Sequence, residues 1–208
     1  MTLATIGHMA PGTIPAWLRS LSKLKIFDLH SNQFSSWIPA TIFNLSALQV
    51  IVLDCNLLSE IPNLSGSRDE VKELSMQRNG LKGPVPTYVF NMSSLTSLVL
   101  HGNSLNGSVP DNICLHLPNV EELHLAYNQF DGTIPNEIGN LQNLRILSLG
   151  GNNINGQIPS EIFNMSTIAV ISLTENQLSG SLPDISLGVP ELQVLFVGRN
   201  KLSGATPT

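Results

Sequence analysis

Four stretches of thirteen residues in this chain are near copies of one another: "LVLHGNSLNGSVP" at 98–110, "LHLAYNQFDGTIP" at 123–135, "LSLGGNNINGQIP" at 147–159 and "ISLTENQLSGSLP" at 171–183. The asparagine common to them extends into a longer series, Asn32, Asn56, Asn79, Asn103, Asn128, Asn152, Asn176 and Asn200, at intervals of 24, 23, 24, 25, 24, 24 and 24 residues. Eight, five and three positions before each one stands an apolar residue, from Leu24, Phe27 and Leu29 to Leu192, Leu195 and Val197. Apolar side chains at spacing two describe a short strand with one buried face. A unit of this size cannot bury that face alone, so the units must stack and share one core.

A period near 24 lies in the range of leucine-rich repeats. The fold class expected is therefore an α/β repeat solenoid, with a concave parallel β-sheet and an irregular or 3-10 convex side. Eight strands at about 4.8 Å spacing would span roughly 35–40 Å. One domain over 1–208 follows, in eight to nine units of 23–25 residues, interrupted inside a unit at each end. Each ladder Asn has an amide that can satisfy backbone groups otherwise buried unpaired, which makes it scaffold rather than site. Gly83, Gly107, Gly132, Gly156, Gly180 and Gly204 stand four residues after a ladder Asn, and Pro39, Pro86, Pro110, Pro135, Pro159 and Pro183 seven after. They turn each unit toward its convex side, Gly by allowing a tight bend and Pro by fixing φ.

Several chemistries are excluded or disfavoured. With 12% charged residues, a net charge of −5 and a pI near 5.4, the chain lacks the basic face that phosphate binding needs. No apolar run reaches the roughly 20 residues of a membrane span. The start, "MTLATIGHMAPG", lacks the pattern of a secretory signal, so the chain is either cytosolic or a piece whose signal lies elsewhere. Motifs of Ser hydrolases, P-loop enzymes, zinc proteases and kinases are all missing, and neither a cofactor nor a metal site is expected. Cys55 ends a strand, whereas Cys114 takes the convex slot of Phe43, Phe90 and Phe163, so the two are too far apart for a disulfide.

Five "NxS" sequons, at Asn44, Asn63, Asn91, Asn106 and Asn164, favour secretory passage. Asn44, Asn91 and Asn164 share one slot twelve residues after a ladder Asn, on the convex side.

Specificity is left to the exposed face of the sheet. Period two directs the residues four and two before each ladder Asn outward, and these columns do not repeat. The candidate ligand-binding set is Asp54, Gln77, Arg78, His101, His124, Tyr127, Thr174, Glu175, Phe196 and Arg199, joined in the central units by Lys72, Glu73 and Glu122. Small residues at Ser148, Gly150, Gly151 and Ser172 would let an extended peptide approach the backbone. Stacking in register sets His30 beside Asp54 and His101 diagonal to His124, a source of pH dependence in binding near pH 5–7.

The pattern "LxxLxLxxNxLxGxIPxxIxNLxxL", as in "LRILSLGGNNINGQIPSEIFNMSTI", resembles the plant-specific leucine-rich repeat of receptor-like kinases, receptor-like proteins and polygalacturonase inhibitors. The wording "IFNMSSLTSLVLHGNSLNGSVPDNICLHLPNVEELHL" is similar to ectodomains of the receptor-kinase group that includes immune receptors. The resemblance implies a right-handed superhelix, a peptide or protein ligand on the concave face, a leucine-rich-repeat co-receptor, an extracellular or apoplastic location, and catalysis only in a kinase domain outside these residues. It also implies disulfide-bonded caps, which this sequence lacks. The alternative is a secreted inhibitor of a cell-wall hydrolase, which adding the chain to a polygalacturonase assay would reveal, or a soluble receptor-like protein.

Overall fold

A computed structural model describes residues 12–66, 68–182 and 189–204; Pro183 of the repeat pattern lies outside these. Eight strands, Ile26–Asp28, Val50–Val52, Glu73–Ser75, Ser97–Val99, Glu122–His124, Ile146–Ser148, Val170–Ser172 and Val194–Phe196, form one sheet in strict chain order. Every neighbouring pair is parallel and in register, with Leu74 beside Leu98 and Leu98 beside Leu123. The solenoid expected from the period is present.

All the apolar ladder positions of the first seven units are buried, from Leu24, Phe27 and Leu29 to Ile168, Ile171 and Leu173. In the last unit Leu192, Leu195 and Val197, at one edge of the sheet, are only partly buried, whereas at the other edge Ile14 and Leu18 of the preceding segment join Leu24, Phe27 and Leu29 in the buried core.

The asparagine ladder carries the backbone bonds that the short strands leave over. Asn152 donates Nδ2 to the carbonyls of Leu125 (3.1 Å), Leu149 (2.9 Å) and Gly150 (3.3 Å), while its Oδ1 accepts from the amide of Phe130 (3.0 Å). One side chain thus ties together the turn of its own unit and two places in the preceding unit. A second, shorter ladder runs along the opposite flank. There Asn119 donates to the Ser93 carbonyl (2.8 Å), Asn143 to that of Pro118 (3.1 Å) and Thr167 to that of Leu144 (2.9 Å).

The segment after each ladder Asn, read in the sequence as a bend, also forms strands. Ser35–Trp37 pairs with Leu57–Glu60; Lys82–Pro84, Ser104–Gly107 and Gln129–Phe130 form a second ribbon; Asn155–Gln157, Gln177–Gly180 and Lys201–Leu202 form a third. Their glycines close the turn. Gly156 has φ +79°, and a Cβ there would lie 2.9 Å from Thr133 Cγ2. Prolines then start the convex turns, where Pro39 and Pro159 hold extended backbone just before the 3-10 helices Ala40–Asn44 and Ser160–Asn164. Val89–Asn91 and Asn136–Asn140 are also 3-10, whereas Ile113–His116 is a single α-helical turn. The convex side is therefore mainly 3-10, as the pattern implies, with the lateral ribbons as an addition to it.

Candidate functional site

The concave sheet holds the candidate residues, but they divide into groups with different jobs. Asp54 is committed to the scaffold. Its Oδ1 accepts from Ser75 Oγ (2.6 Å) and the Gln77 amide (3.0 Å), and its Oδ2 from Gln77 Nε2 (2.9 Å). Ser75, expected on the exposed face, is buried as a result. Ala126 of the same expectation is buried too, since its methyl does not reach past its neighbours. The partner of His30 is Asp28 rather than Asp54, with Nδ1 and Oδ1 2.7 Å apart. Asp28, two positions earlier in the chain, reaches the ring more easily than Asp54, whose oxygens face Ser75 and Gln77.

A third column, six residues before each ladder Asn, is also concave. It runs Ile26, Val50, Glu73, Ser97, Glu122, Ile146, Val170 and Val194, and each of these residues is at least partly exposed. One further period-two step along the strand finds it. Its centre is acidic: Ser97 Oγ donates to Glu122 Oε2 (3.4 Å), and Glu122 lies 3.5 Å from His124 Nε2. Burial holds the Glu73 carboxyl above its ordinary pKa, and the charges of Asp54, Glu122 and Asp28 add to that.

At the middle of the face His101 and Tyr127 meet edge to face, with centroids 5.2 Å apart and planes at 85°. This geometry lets the positive ring edge meet the negative ring face. Tyr127 remains 55% exposed. Its ring also covers the next unit, because a Cβ on Gly151 would come within 2.7 Å of Tyr127 Cδ1. The space that Gly150 and Gly151 were expected to leave for a ligand is thus taken by Tyr127 and by Thr174, whose Oγ1 would meet a Gly150 Cβ at 2.9 Å.

Arg78, Tyr127, Glu175 and Arg199 share a backbone feature that the sequence reading missed. Each stands one before a ladder Asn with φ between +52° and +57°, as do Ser31 and Cys55. Gly102 and Gly151 fill the same slot in two other units, and their presence there was the available signal. The left-handed turn projects these side chains along the rim of the sheet. Glu175 and Arg199 pair with each other, while Phe196 stays 56% exposed beside them.

The pKa of His101 is pushed down by burial first, then by the positive charges of Arg78 and His124. The unfolded chain therefore takes up the proton more readily, and folding stability falls as pH drops through the ordinary value of 6.5. Tyr127, Arg78 and His124 act on this ring and stay in place in a His101→Gln variant. That variant is expected to lose less stability than the parent between about pH 7 and pH 5, checked by urea melts across the window; parallel curves would remove His101 as the cause.

Among the described residues no group of three His, Cys, Asp or Glu could hold a metal ion, and no helix is long and apolar enough to cross a membrane. Cys55 and Cys114 are both free thiols, and Cys114 packs partly buried against the core. The five sequon asparagines are all exposed.

Two models of the leucine-rich repeat match the sequence, one over residues 93–154 and one over 23–45. None of the curated proteins compared matches it. Solved structures do. The plant peptide hormone receptor RGFR1 in complex with RGF2 superposes with a TM-score of 0.87 at 35% identity, over 92% of this chain and 31% of that one. The ectodomain of the membrane receptor kinase GASSHO1/SCHENGEN3 of Arabidopsis thaliana, in complex with CASPARIAN STRIP INTEGRITY FACTOR 2, gives 0.86 at 35%, over 93% and 23%. The Arabidopsis receptor kinase HAESA, with the peptide hormone IDA and the co-receptor SERK1, gives 0.85 at 32%, over 95% and 33%. The chain thus spans a third or less of each of these relatives. These matched folds are ligand-binding ectodomains, not catalytic domains. With eight in-register strands, a continuous asparagine ladder and this likeness over nearly its whole length, the chain belongs to the leucine-rich-repeat family, in the form found in the ectodomains of plant receptor kinases.

Proposed function

We propose that this chain is a ligand-recognition module of a plant receptor kinase, placed outside the cell, which takes an extended peptide on its concave sheet. A leucine-rich-repeat co-receptor joins the bound complex, and the signal, in immune or developmental signalling, passes to parts outside these residues. The observation that carries the reading is the His101–Tyr127 pair, its tyrosine exposed and its imidazole partly buried, at the centre of a sheet whose inward columns repeat and whose outward columns do not. Exposed aromatic side chains lose little entropy on binding and dominate interface energies. Toward the last units the partly exposed Ile146, Val170 and Val194 and the exposed Phe196 extend the surface with apolar contacts.

Linear peptides selected from a displayed library on the immobilised chain provide the probe. Tyr127→Ala is expected to weaken the selected peptides by at least about tenfold, or 1.4 kcal/mol, with an unchanged melting curve. Peptides that bind Tyr127→Ala, Gln77→Lys and Phe196→Ala as tightly as the parent would place recognition elsewhere.

A further inference from the structure

Twelve residues after a ladder Asn four units carry an asparagine, Asn44, Asn91, Asn140 and Asn164; the unit of Asn103 carries Leu115 there and keeps a helical turn, Ile113–His116, whereas the unit of Asn56 carries Arg68. One position earlier, in the slot of Phe43, Phe90 and Phe163, the sequence has Ser67. Among the described residues no helix forms between Ala40–Asn44 and Val89–Asn91, although every other pair of successive convex turns from Val89–Asn91 to Ser160–Asn164 is in contact. Tyr88 reaches across the break to Phe43, ring centroid to ring centroid 5.7 Å at 75°.

Beside this bridge lies a cavity of about 420 Å³. It falls in the range of pockets that hold small organic ligands, about 300–1,000 Å³. Leu45, Leu48 and Val71 provide its apolar wall, and Asn44, Arg68 and Glu70 its polar one. Asn44 is the acceptor residue of the sequon Asn44-Leu45-Ser46. Arg68 Nη2 donates to Asn44 Oδ1 at 3.1 Å, which uses the oxygen and points the amide nitrogen away from that contact.

We infer that the occupant of this cavity is the first sugar of an N-linked glycan on Asn44, which fills the place of the missing convex helix. In the reaction Nδ2 forms a bond to the anomeric carbon of a lipid-linked oligosaccharide, the C–O bond to the diphosphate breaks, the lipid diphosphate leaves as a whole, and Nδ2 gives up one proton. The amide keeps one N–H and its Oδ1, so the Arg68 hydrogen bond survives. An N-acetylated pyranose suits the walls: its methyl and ring C–H groups lie on Leu45, Leu48 and Val71, and its hydroxyls meet Arg68 and Glu70. Asn164 occupies the corresponding slot on an intact convex turn, and its glycan projects into solvent.

This inference rests on the extracellular placement proposed above, and a secretory host tests the two separately. Secreted chain is mapped for sugar at each sequon, then compared with Ser46→Ala, which removes the modification while leaving Asn44 and its Arg68 contact. Asn44 is expected to be occupied, and Ser46→Ala to lower Tm by about 2–4 °C in secreted protein and not in bacterial, unglycosylated protein. Ser166→Ala, which removes the Asn164 sugar, should leave Tm unchanged in both. Bare Asn44 beside occupied sequons elsewhere overturns the inference and leaves the extracellular reading standing. A Ser46→Ala shift that is equal in both hosts, or absent from both, overturns it as well.

Discussion

Asn152→Ala is expected to destabilise the domain by about 3–5 kcal/mol, read as a lower urea midpoint at unchanged slope. The side chain is 8% exposed and makes four hydrogen bonds, three donated by Nδ2 and one accepted by Oδ1. Its removal leaves the Phe130 amide without an acceptor in a unit whose own side chain is buried. A buried unsatisfied group costs about 1–3 kcal/mol. The carbonyls of Leu125, Leu149 and Gly150 lose a donor at the same time. Asn200→Ala provides the comparison, since Asn200 makes the same kind of contacts, to Leu173, Val197, Gly198 and Leu178, but stands partly exposed at the last strand. Water can replace those bonds, so its loss should be the smaller by about 1 kcal/mol or more. Equal losses would mean that the ladder acts through the turn alone and not through the burial of its partners.

The contrast between those two asparagines also shows what the sequence could reveal. The ladder, its spacing and the inward columns were legible because stacking forces each unit to solve the same burial problem with the same residue types. Exposed columns face no such shared constraint, so the alphabet identifies the face without assigning roles on it. Asp54 illustrates the gap: its position is concave, yet its oxygens bind Ser75 and Gln77. His30 likewise pairs with Asp28 of its own unit, a choice that depends on side-chain rotamers and not on register. The lateral ribbons were hidden for another reason. Their Gly and Pro positions mark bends, and the pairing between units of strands two to four residues long arises only once the units are stacked. The left-handed rim was readable from Gly102 and Gly151, but Arg78 and Tyr127 in the same column obscured it.

A second large effect is expected on the convex side, where Gly139→Ala should cost about 2–3 kcal/mol by overpacking. Gly139 lies in the 3-10 turn Asn136–Asn140, which packs directly on Ser160–Asn164. A Cβ there would stand 2.6 Å from Glu161 Cβ, 2.7 Å from Glu161 O and 2.8 Å from Glu161 C. Two of those three atoms are backbone, so rotating the glutamate side chain cannot relieve the contact and the turns must move apart. Their separation is fixed by the Ile138 and Ile162 side chains beneath, both fully buried. Glu161→Ala should therefore leave the Gly139→Ala penalty intact, because the Cβ remains. Glu161→Gly should recover only part of it, since the carbonyl stays within 2.7 Å. Melting curves of the single and double variants separate these cases; complete recovery by Glu161→Gly would show that the side chain, and not the approach of the two backbones, sets the spacing of the convex turns.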